Sequence, residues 1–344
     1  MPELTIVSSG IVSIAQLTQE ARAAIVAADK IFYHAADGVA ARAFQLLNPS
    51  SFDLFQMYGE GKNRRQTYIQ VAELMLSELR EGRNVAGIFH GHAGFFVMAA
   101  RRAVAIARAE GFAARILPGV SSVDCLIAEL GIDPGVAGMQ IVKAGSVLRR
   151  KAQLAHWGHV VLLQVSSAGD NDYSFSGYKK SRPQALVEVL TETYGSDQEL
   201  IYYQAALFPG LQSAVRLHRL DELAAMGDDL RFGPGILYFP PRGVAWAELS
   251  SKQAFGAKEA YDREAQTAIA ALTDHVPDRE FKTRLASVEL HRVAESLAGD
   301  FNLRRRFERN EPALIPEIAA LPEAERLALE DREPNRLRRA TIRR

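Results

Sequence analysis

The stretch Gly87-Ile88-Phe89-His90-Gly91-His92-Ala93-Gly94-Phe95 decides how the chain is read. Its apolar start follows the polar end of a helix and reads as a buried strand. A loop carrying Gly91, His92 and Gly94 comes next, and a new helix is expected over 95–110. A strand ending in a glycine turn brings bare backbone close to a ligand, because glycine has no Cβ to block the approach. In an open α/β sheet, ligands sit at that strand end. The stretch therefore points to a small-molecule site, and its neighbours must say which molecule.

Outward from it, strands are expected at 4–7, 30–33, 84–89 and 113–117. Helices are expected at 18–29, 64–81 and 121–130; Ile69, Val71, Leu74, Met75 and Leu79 carry the helical spacing of the second. This alternation predicts a largely parallel sheet covered by helices. A second part starts near Gln140, with strands at 159–165, 199–204, 213–219 and 235–239 and a helix at 183–194. Fewer helices per strand imply a mixed sheet of its own. After Pro240-Pro241 the composition changes, and only helices are expected: 257–273, 279–297, 300–308, 312–319 and 322–331. An arginine-rich tail, 332–344, reads as flexible or held by a partner.

The 344 residues carry 41 basic and 41 acidic side chains, so the formal net charge is zero. That argues against a nucleic-acid protein held by bulk charge. The single cysteine, Cys125, excludes an internal disulfide and fits a reducing, cytoplasmic compartment. No apolar run is long enough to cross a membrane, and no signal peptide precedes the first strand.

Three segments carry a family resemblance. They are Leu4-Thr5-Ile6-Val7-Ser8-Ser9-Gly10 leading to Ala27-Ala28-Asp29-Lys30-Ile31-Phe32-Tyr33, the stretch quoted above, and Leu117-Pro118-Gly119-Val120-Ser121-Ser122. The first lacks the G-x-G-x-x-G pattern of a dinucleotide loop. In order and spacing the three resemble the tetrapyrrole methylase superfamily, the class III S-adenosylmethionine methyltransferases. The resemblance implies a two-lobed α/β fold with the cofactor folded between the lobes, and S-adenosylhomocysteine as product. Ser8 stands where that family usually has glycine, which weakens a contact between the first loop and the ligand.

A closer resemblance spans nearly the whole chain. Phe55-Gln56-Met57-Tyr58-Gly59-Glu60-Gly61-Lys62-Asn63-Arg64-Arg65-Gln66-Thr67-Tyr68 resembles the active-site segment of borosin peptide α-N-methyltransferases of the omphalotin-precursor type. Thr267–His275 is similar to that family's clasp, and 281–329 to its small helical precursor domain. The implied organisation is a methylase-like domain at 1–250, clasp helices at 251–277, a helical precursor domain at 278–331 and a basic tail at 332–344.

The matched residues have chemistry of their own. Arg64 and Tyr68 lie four apart and share a helix face, and Tyr58 precedes a Gly59-Glu60-Gly61 turn that lets it fold back. An amide nitrogen is a poor nucleophile, because its lone pair is delocalised into the carbonyl. Methylating it needs proton removal and stabilisation of charge on the oxygen. Arg64 offers a permanent cation with several donors. Tyr58 or Tyr68 as tyrosinate would take the proton, with the neighbouring Arg lowering a phenol pKa of about 10. By resemblance the trio is catalytic; without it, the same residues read as a surface Arg and two half-buried tyrosines.

His90 and His92 are too few ligands for a metal, and no further ligand joins them at suitable spacing. The family commonly has tyrosine at the position of His90. By the same resemblance the cofactor meets His90, Gly91, His92, Gly94, Phe95 and Phe96. It also meets Ser121 and Ser122 at a helix start, then Gln164 and Val165, Ala205, Ala206 and Leu207, and Gly235 and Ile236 at strand ends. N-capping and plain sheet packing are the alternative roles of these residues.

The implied activity is α-N-methylation of peptide backbone amides in borosin biosynthesis. The substrate is the chain's own C-terminus, threaded into the other subunit of an interlocked homodimer, or a separate precursor peptide. Of the tail Asn335–Arg344, only Ala340-Thr341-Ile342 resembles the expected apolar core. A tetrapyrrole or other small-molecule methyltransferase, and an inactive peptide-binding homologue, are the competing readings.

Overall fold

The computed structural model describes residues 2–12, 14–150, 153–227, 230–244, 266–268, 270, 287–309, 311 and 316–331. They fall into two compact units: Met1–Thr18 with Ala28–Ala257, and Gln19–Ala27 with Lys258–Arg344. The first unit opens with β1 (Glu3–Ser8). Helix α1 (Gln19–Ala27) belongs to the second unit. The first continues through β2 (Lys30–His34), α2 (Gly38–Leu47), β3 (Ser51–Asp53), α3 (Arg64–Arg80) and β4 (Val85–Phe89). Then come α4 (Met98–Ala109), β5 (Ala113–Leu117) and α5 (Ser122–Leu130).

The five strands pair in the order β3-β2-β4-β1-β5, all parallel. Leu4 and Ile6 of β1 pack with Val71, Met75 and Leu76 of α3 and Ala100 and Val104 of α4. Helix α4 starts at Met98, three residues later than the spacing suggests. Phe95–Val97 stay in the loop, with Phe96 in the left-handed region at φ 58°.

The second half of this unit runs α6 (Pro134–Ala137), β6 (Met139–Lys143), α7 (Ala144–Arg150), β7 (His159–Leu163), α8 (Pro183–Tyr194) and β8 (Glu199–Gln204). It ends with β9 (Ala214–Arg219), α9 (Leu220–Ala225) and β10 (Ile236–Phe239). The sheet order is β6-β7-β10-β8-β9; only β6 and β7 are parallel, so the sheet is mixed as expected. Its central strands are unbroken apolar runs because both faces are covered. Val160, Leu162, Leu200, Leu237 and Phe239 face a core with α8 residues Leu186 and Leu190. The alternate residues Val161, Leu163, Ile201, Tyr203, Ile236 and Tyr238 pack against Ile11 and the α5 residues Val123 and Leu126.

In the second unit α1 packs with α10 (Val288–Gly299) and α11 (Phe301–Glu308), and Glu20 pairs with Arg304. The helix α13 (Glu323–Asp331), which follows the short α12 (Pro316–Ala319), ties back through Glu325, whose carboxylate accepts the Ser287 N–H at 3.0 Å. Apart from 266–268 and 270, the expected helix at 257–273 lies outside the described residues. So do 279–286 and 312–315, most of the clasp-like segment and the tail 332–344. Among the described residues no helix is long and apolar enough to cross a membrane.

One buried hydroxyl joins the ends of the first sheet. Ser8 Oγ donates to the Leu117 carbonyl at 2.6 Å and accepts the Ala93 N–H at 2.9 Å. The same strand end pairs with the glycine loop through Ser9 N to Phe89 O at 3.0 Å and Gly91 N to Gly10 O at 2.8 Å. Gly91 sits at φ 73°, which only glycine adopts without strain. Gly119 lies so close that a Cβ there would come within 2.6 Å of Ser8 Cβ and 3.2 Å of Ser8 O. Ser8→Ala should cost about 1–3 kcal/mol, because it strands a buried N–H and a carbonyl. Gly119→Ala should cost about as much through overpacking, and less in a Ser8→Gly background. Urea denaturation of the double-mutant cycle checks this; additive losses would contradict it.

Candidate functional site

The C-terminal ends of β2, β4, β7 and β8, the start of α5 and the start of β10 open onto one cavity of about 640 Å³ in the first unit. Tyr58, Arg64 and Tyr68 all border it. So do His90, Gly91, His92, Phe95 and Phe96 from the glycine loop, and Ser121 and Ser122 at the head of α5. Gln164, Ala205, Leu207, Gly235 and Ile236 close the other side, while Gly94, Val165 and Ala206 stand outside the lining. Val165 misses because β7 ends at Leu163: Gln164 turns left-handed at φ 58° and carries Val165 into the second lobe's core.

Arg64 opens α3 behind the cap of Asn63, whose side chain accepts the Arg65 N–H at 3.0 Å. Its side chain is 9% exposed. One guanidinium nitrogen donates to the Asp170 carbonyl, and the group lies 4.8 Å over the Tyr178 ring. Arg64 Nε is buried with no partner among the described residues. A loop at 170–180 therefore holds the cation. It is zipped to the Glu60–Arg64 turn by Gly61 N to Tyr173 O at 2.8 Å, Tyr173 N to Lys62 O at 2.9 Å and Arg64 N to Asn171 O at 2.9 Å. The exposed Glu60 carboxylate accepts the Phe175 N–H and the Ser174 hydroxyl, which hold its pKa below the usual range.

Tyr58 packs its ring 4.8 Å from Tyr173 and 5.6 Å from both Phe55 and His34. Burial raises the pKa of Tyr58 and Tyr68, and the neighbouring Arg64 only partly opposes it. Burial therefore works against the tyrosinate that the neighbouring cation favours. Desolvation of the anion outweighs the cation, and both phenols keep their protons at neutral pH. The hydroxyl of Ser121 is spent in a capping box with Asp124. The His92 ring turns back on its own loop and accepts the Gly94 N–H at 3.0 Å through Nδ1. Gln164 Oε1 is buried without a partner among the described residues.

His34, Phe55, Tyr173 and Tyr178 also border the cavity, and sequence reasoning missed them. His34 carried a signal, since it ends a parallel strand in register with Phe89. The tyrosines carried none, because only the zipper with Glu60–Arg64 brings them in. Among the described residues no cluster of three or more His, Cys, Asp or Glu could hold a metal ion.

The family model for tetrapyrrole (corrin/porphyrin) methylases matches residues 3–224. A methyltransferase/ribosomally synthesized cyclic peptide omphalotin A precursor of Omphalotus olearius is 33% identical over 353 residues, 95% of this chain and 85% of that protein. A methyltransferase/ribosomally synthesized type III borosin cyclic peptide precursor of Anomoporia bombycina is 33% identical over 356 residues. That match takes in 95% of this chain but 41% of the relative, so the chain spans less than half of that relative's length. Among solved structures, a uroporphyrin-III-C-methyltransferase from Thermus thermophilus aligns with TM-score 0.49 and 21% identity over 73% of this chain and 95% of that one.

Burial lowers the pKa of His34 and His90, the latter to about 4. A histidine depressed when folded adds stability above its unfolded pKa of about 6.5, and that stability is lost as pH falls through the folded value. Folding stability should therefore decline between about pH 6.5 and 4, and His90→Phe should flatten that slope. Denaturant titrations at stepped pH check this; an unchanged slope would contradict a buried neutral imidazole.

Proposed function

The chain belongs to the tetrapyrrole methylase family and, within it, to the borosin methyltransferase/precursors, and from that premise we propose that it methylates backbone amide nitrogens of a peptide. It is a methyltransferase; the acceptor and the donor are our reading. The observation that carries the reading is Arg64: a buried guanidinium with an unpartnered Nε, sharing one cavity with Tyr58 and Tyr68. Removing the amide proton, so that the nitrogen can take the methyl group, puts negative charge on the carbonyl oxygen. A fixed cation in a water-poor site stabilises that charge without reorganising. Tyr58 and Tyr68, protonated, supply hydroxyl donors to the same oxygen. The 170–180 loop holds Arg64 in place from behind, and Phe55, Tyr58 and Tyr173 make an aromatic wall suited to an extended apolar peptide.

The far side of the cavity fits S-adenosylmethionine. The orphaned Gln164 Oε1 suits the adenine amino group, and the small Ala205 beside Ile236 leaves room for a flat ring. Ser122 offers a hydroxyl at the head of α5. When bound, this cofactor supplies a methyl group activated on a sulfonium. Everything else falls to the chain's own residues: hold the amide, stabilise its oxygen and exclude water.

Both relatives are named as methyltransferase and precursor together. That supports a substrate carried on the same chain; we read it as the tail at 332–344, presented to the other subunit of a cytoplasmic homodimer. The same chemistry serves a separate peptide supplied in trans.

Full-length chain incubated with S-adenosylmethionine should gain whole methyl groups by intact-mass spectrometry. Arg64→Ala should slow this by on the order of 10²–10³-fold, while S-adenosylhomocysteine still binds by calorimetry. Loss of that binding would make Arg64 a cofactor residue. A wild-type chain that neither gains mass nor methylates an added peptide would overturn the reading.

A further inference from the structure

Arg64 is a buried cation that no carboxylate clasps. One guanidinium nitrogen donates to the Asp170 carbonyl, and the group lies 4.8 Å over the Tyr178 ring. The Asp172 carboxylate is near enough for Arg64 to be felt, but it is engaged with Lys180 at 2.5 Å. A carboxylate bound to the guanidinium would neutralise it and weaken its pull on a developing oxyanion. A carbonyl and a ring face hold it while leaving its charge available to the substrate. Such a hold works only if the carbonyl and the ring are themselves fixed.

Both belong to the 170–180 loop, and one side chain closes that loop. Asp170 is 4% exposed. Its Oδ1 accepts the Asp172 N–H at 2.9 Å, and its Oδ2 accepts the Lys180 N–H at 2.9 Å. The carboxylate thus ties the start of the loop to its return, ten positions on. Below it the chain ends are joined by Asp170 N to Ser167 O at 3.1 Å and Arg182 N to Ala168 O at 2.7 Å. The outgoing half of the loop has supports of its own, in the backbone pairing of Asn171 and Tyr173 with the Glu60–Arg64 turn. The returning half carries Tyr178 and reaches Asp170 through the Lys180 N–H. Among the described residues Asp170 pairs with no cation; its two oxygens serve the loop backbone.

We infer that Asp170 is a positioning residue for methyl transfer: its carboxylate closes the 170–180 loop, and so fixes the carbonyl and the ring that aim Arg64. The inference rests on the peptide-methylation reading above. Asp170 does not border the cavity, so it acts through Arg64 and touches neither substrate nor cofactor. Aim matters here, because a shift of about 1 Å in a group that stabilises a transition state can cost on the order of 10²-fold in rate.

The test uses the full-length chain with S-adenosylmethionine and follows single-turnover methylation by intact mass. Asp170→Asn keeps the shape of the side chain. Its amide has only one acceptor oxygen, and it turns an N–H donor on the second backbone N–H. The variant should be slower by on the order of 10–10²-fold. It should bind S-adenosylhomocysteine as wild type does by calorimetry, and its backbone amides within 170–180 should exchange hydrogen faster. In an Arg64→Ala background the same substitution should change the rate by less than about twofold, because its route to the chemistry is gone. Lys180→Ala keeps the backbone N–H and loses only an exposed ion pair, so its rate should stay within about twofold of wild type. Equal slowing by Asp170→Asn in both backgrounds, loss of S-adenosylhomocysteine binding, or turnover within about twofold of wild type overturns the positioning role and leaves peptide methylation standing. A wild-type chain that binds S-adenosylhomocysteine but adds no methyl group overturns both.

Discussion

The site depends on one hydroxyl group that never reaches it. Ser8 Oγ joins the end of β1 to Leu117 and to Ala93, and so fixes three loops that the sequence separates by up to 109 positions. Fully buried, it supplies both partners that those loops leave open. Backbone pairing of Gly10 with Gly91 completes the junction. With the loops locked, His90 on one side and Ser121 and Ser122 on the other face the same cavity. Serine and the close-packed Gly119 are complementary: the Cβ gained at one position is the Cβ denied at the other.

A second junction works in the opposite manner. The Glu60–Arg64 turn and the 170–175 segment are joined by three backbone hydrogen bonds and by the Glu60 carboxylate, which accepts from Ser174 and Phe175 and pairs with the exposed Lys179. Exposed pairs of this kind contribute little on their own. What the zipper achieves is placement: it puts the Asp170 carbonyl and the Tyr178 ring against Arg64, so a buried cation keeps partners while Nε stays unpaired. Burial has two chemical consequences there. It strengthens the guanidinium's hold on a nearby oxygen, and it denies the tyrosines their anionic form. One desolvated environment thus sets Arg64 and the phenols as donors.

Much of the fold was legible in the sequence, and the gaps have physical causes. Strands β7, β8 and β10 stood out because a strand buried on both faces is a continuous apolar run. Strand β6, Met139–Lys143, has all five residues half-buried, and β3 is three half-buried residues long, so neither left a pattern. Helix α2 follows so short a loop that it hid between strand signals. Helix α1 was legible as a helix, but its grouping with α10 and α11 rests on contacts across nearly the whole chain. In the cavity, Arg64, Tyr58 and Tyr68 came together as their shared segment implied. Tyr173 and Tyr178 arrive through backbone pairing, which leaves no trace in side-chain chemistry. For the tyrosines, sequence shows the neighbouring charge but not the depth of burial, which pushes their pKa the other way.

The central claim is that a cavity built on a buried Arg64 transfers methyl groups to backbone nitrogen. The most direct measurement is tandem mass spectrometry of the full-length chain, and of a peptide co-incubated with it, after reaction with methyl-labelled S-adenosylmethionine. The account predicts label on backbone amide nitrogens of the peptide segment, absent when Arg64 is replaced by Ala. Label confined to side chains, or label unchanged in the Arg64→Ala chain, would contradict it.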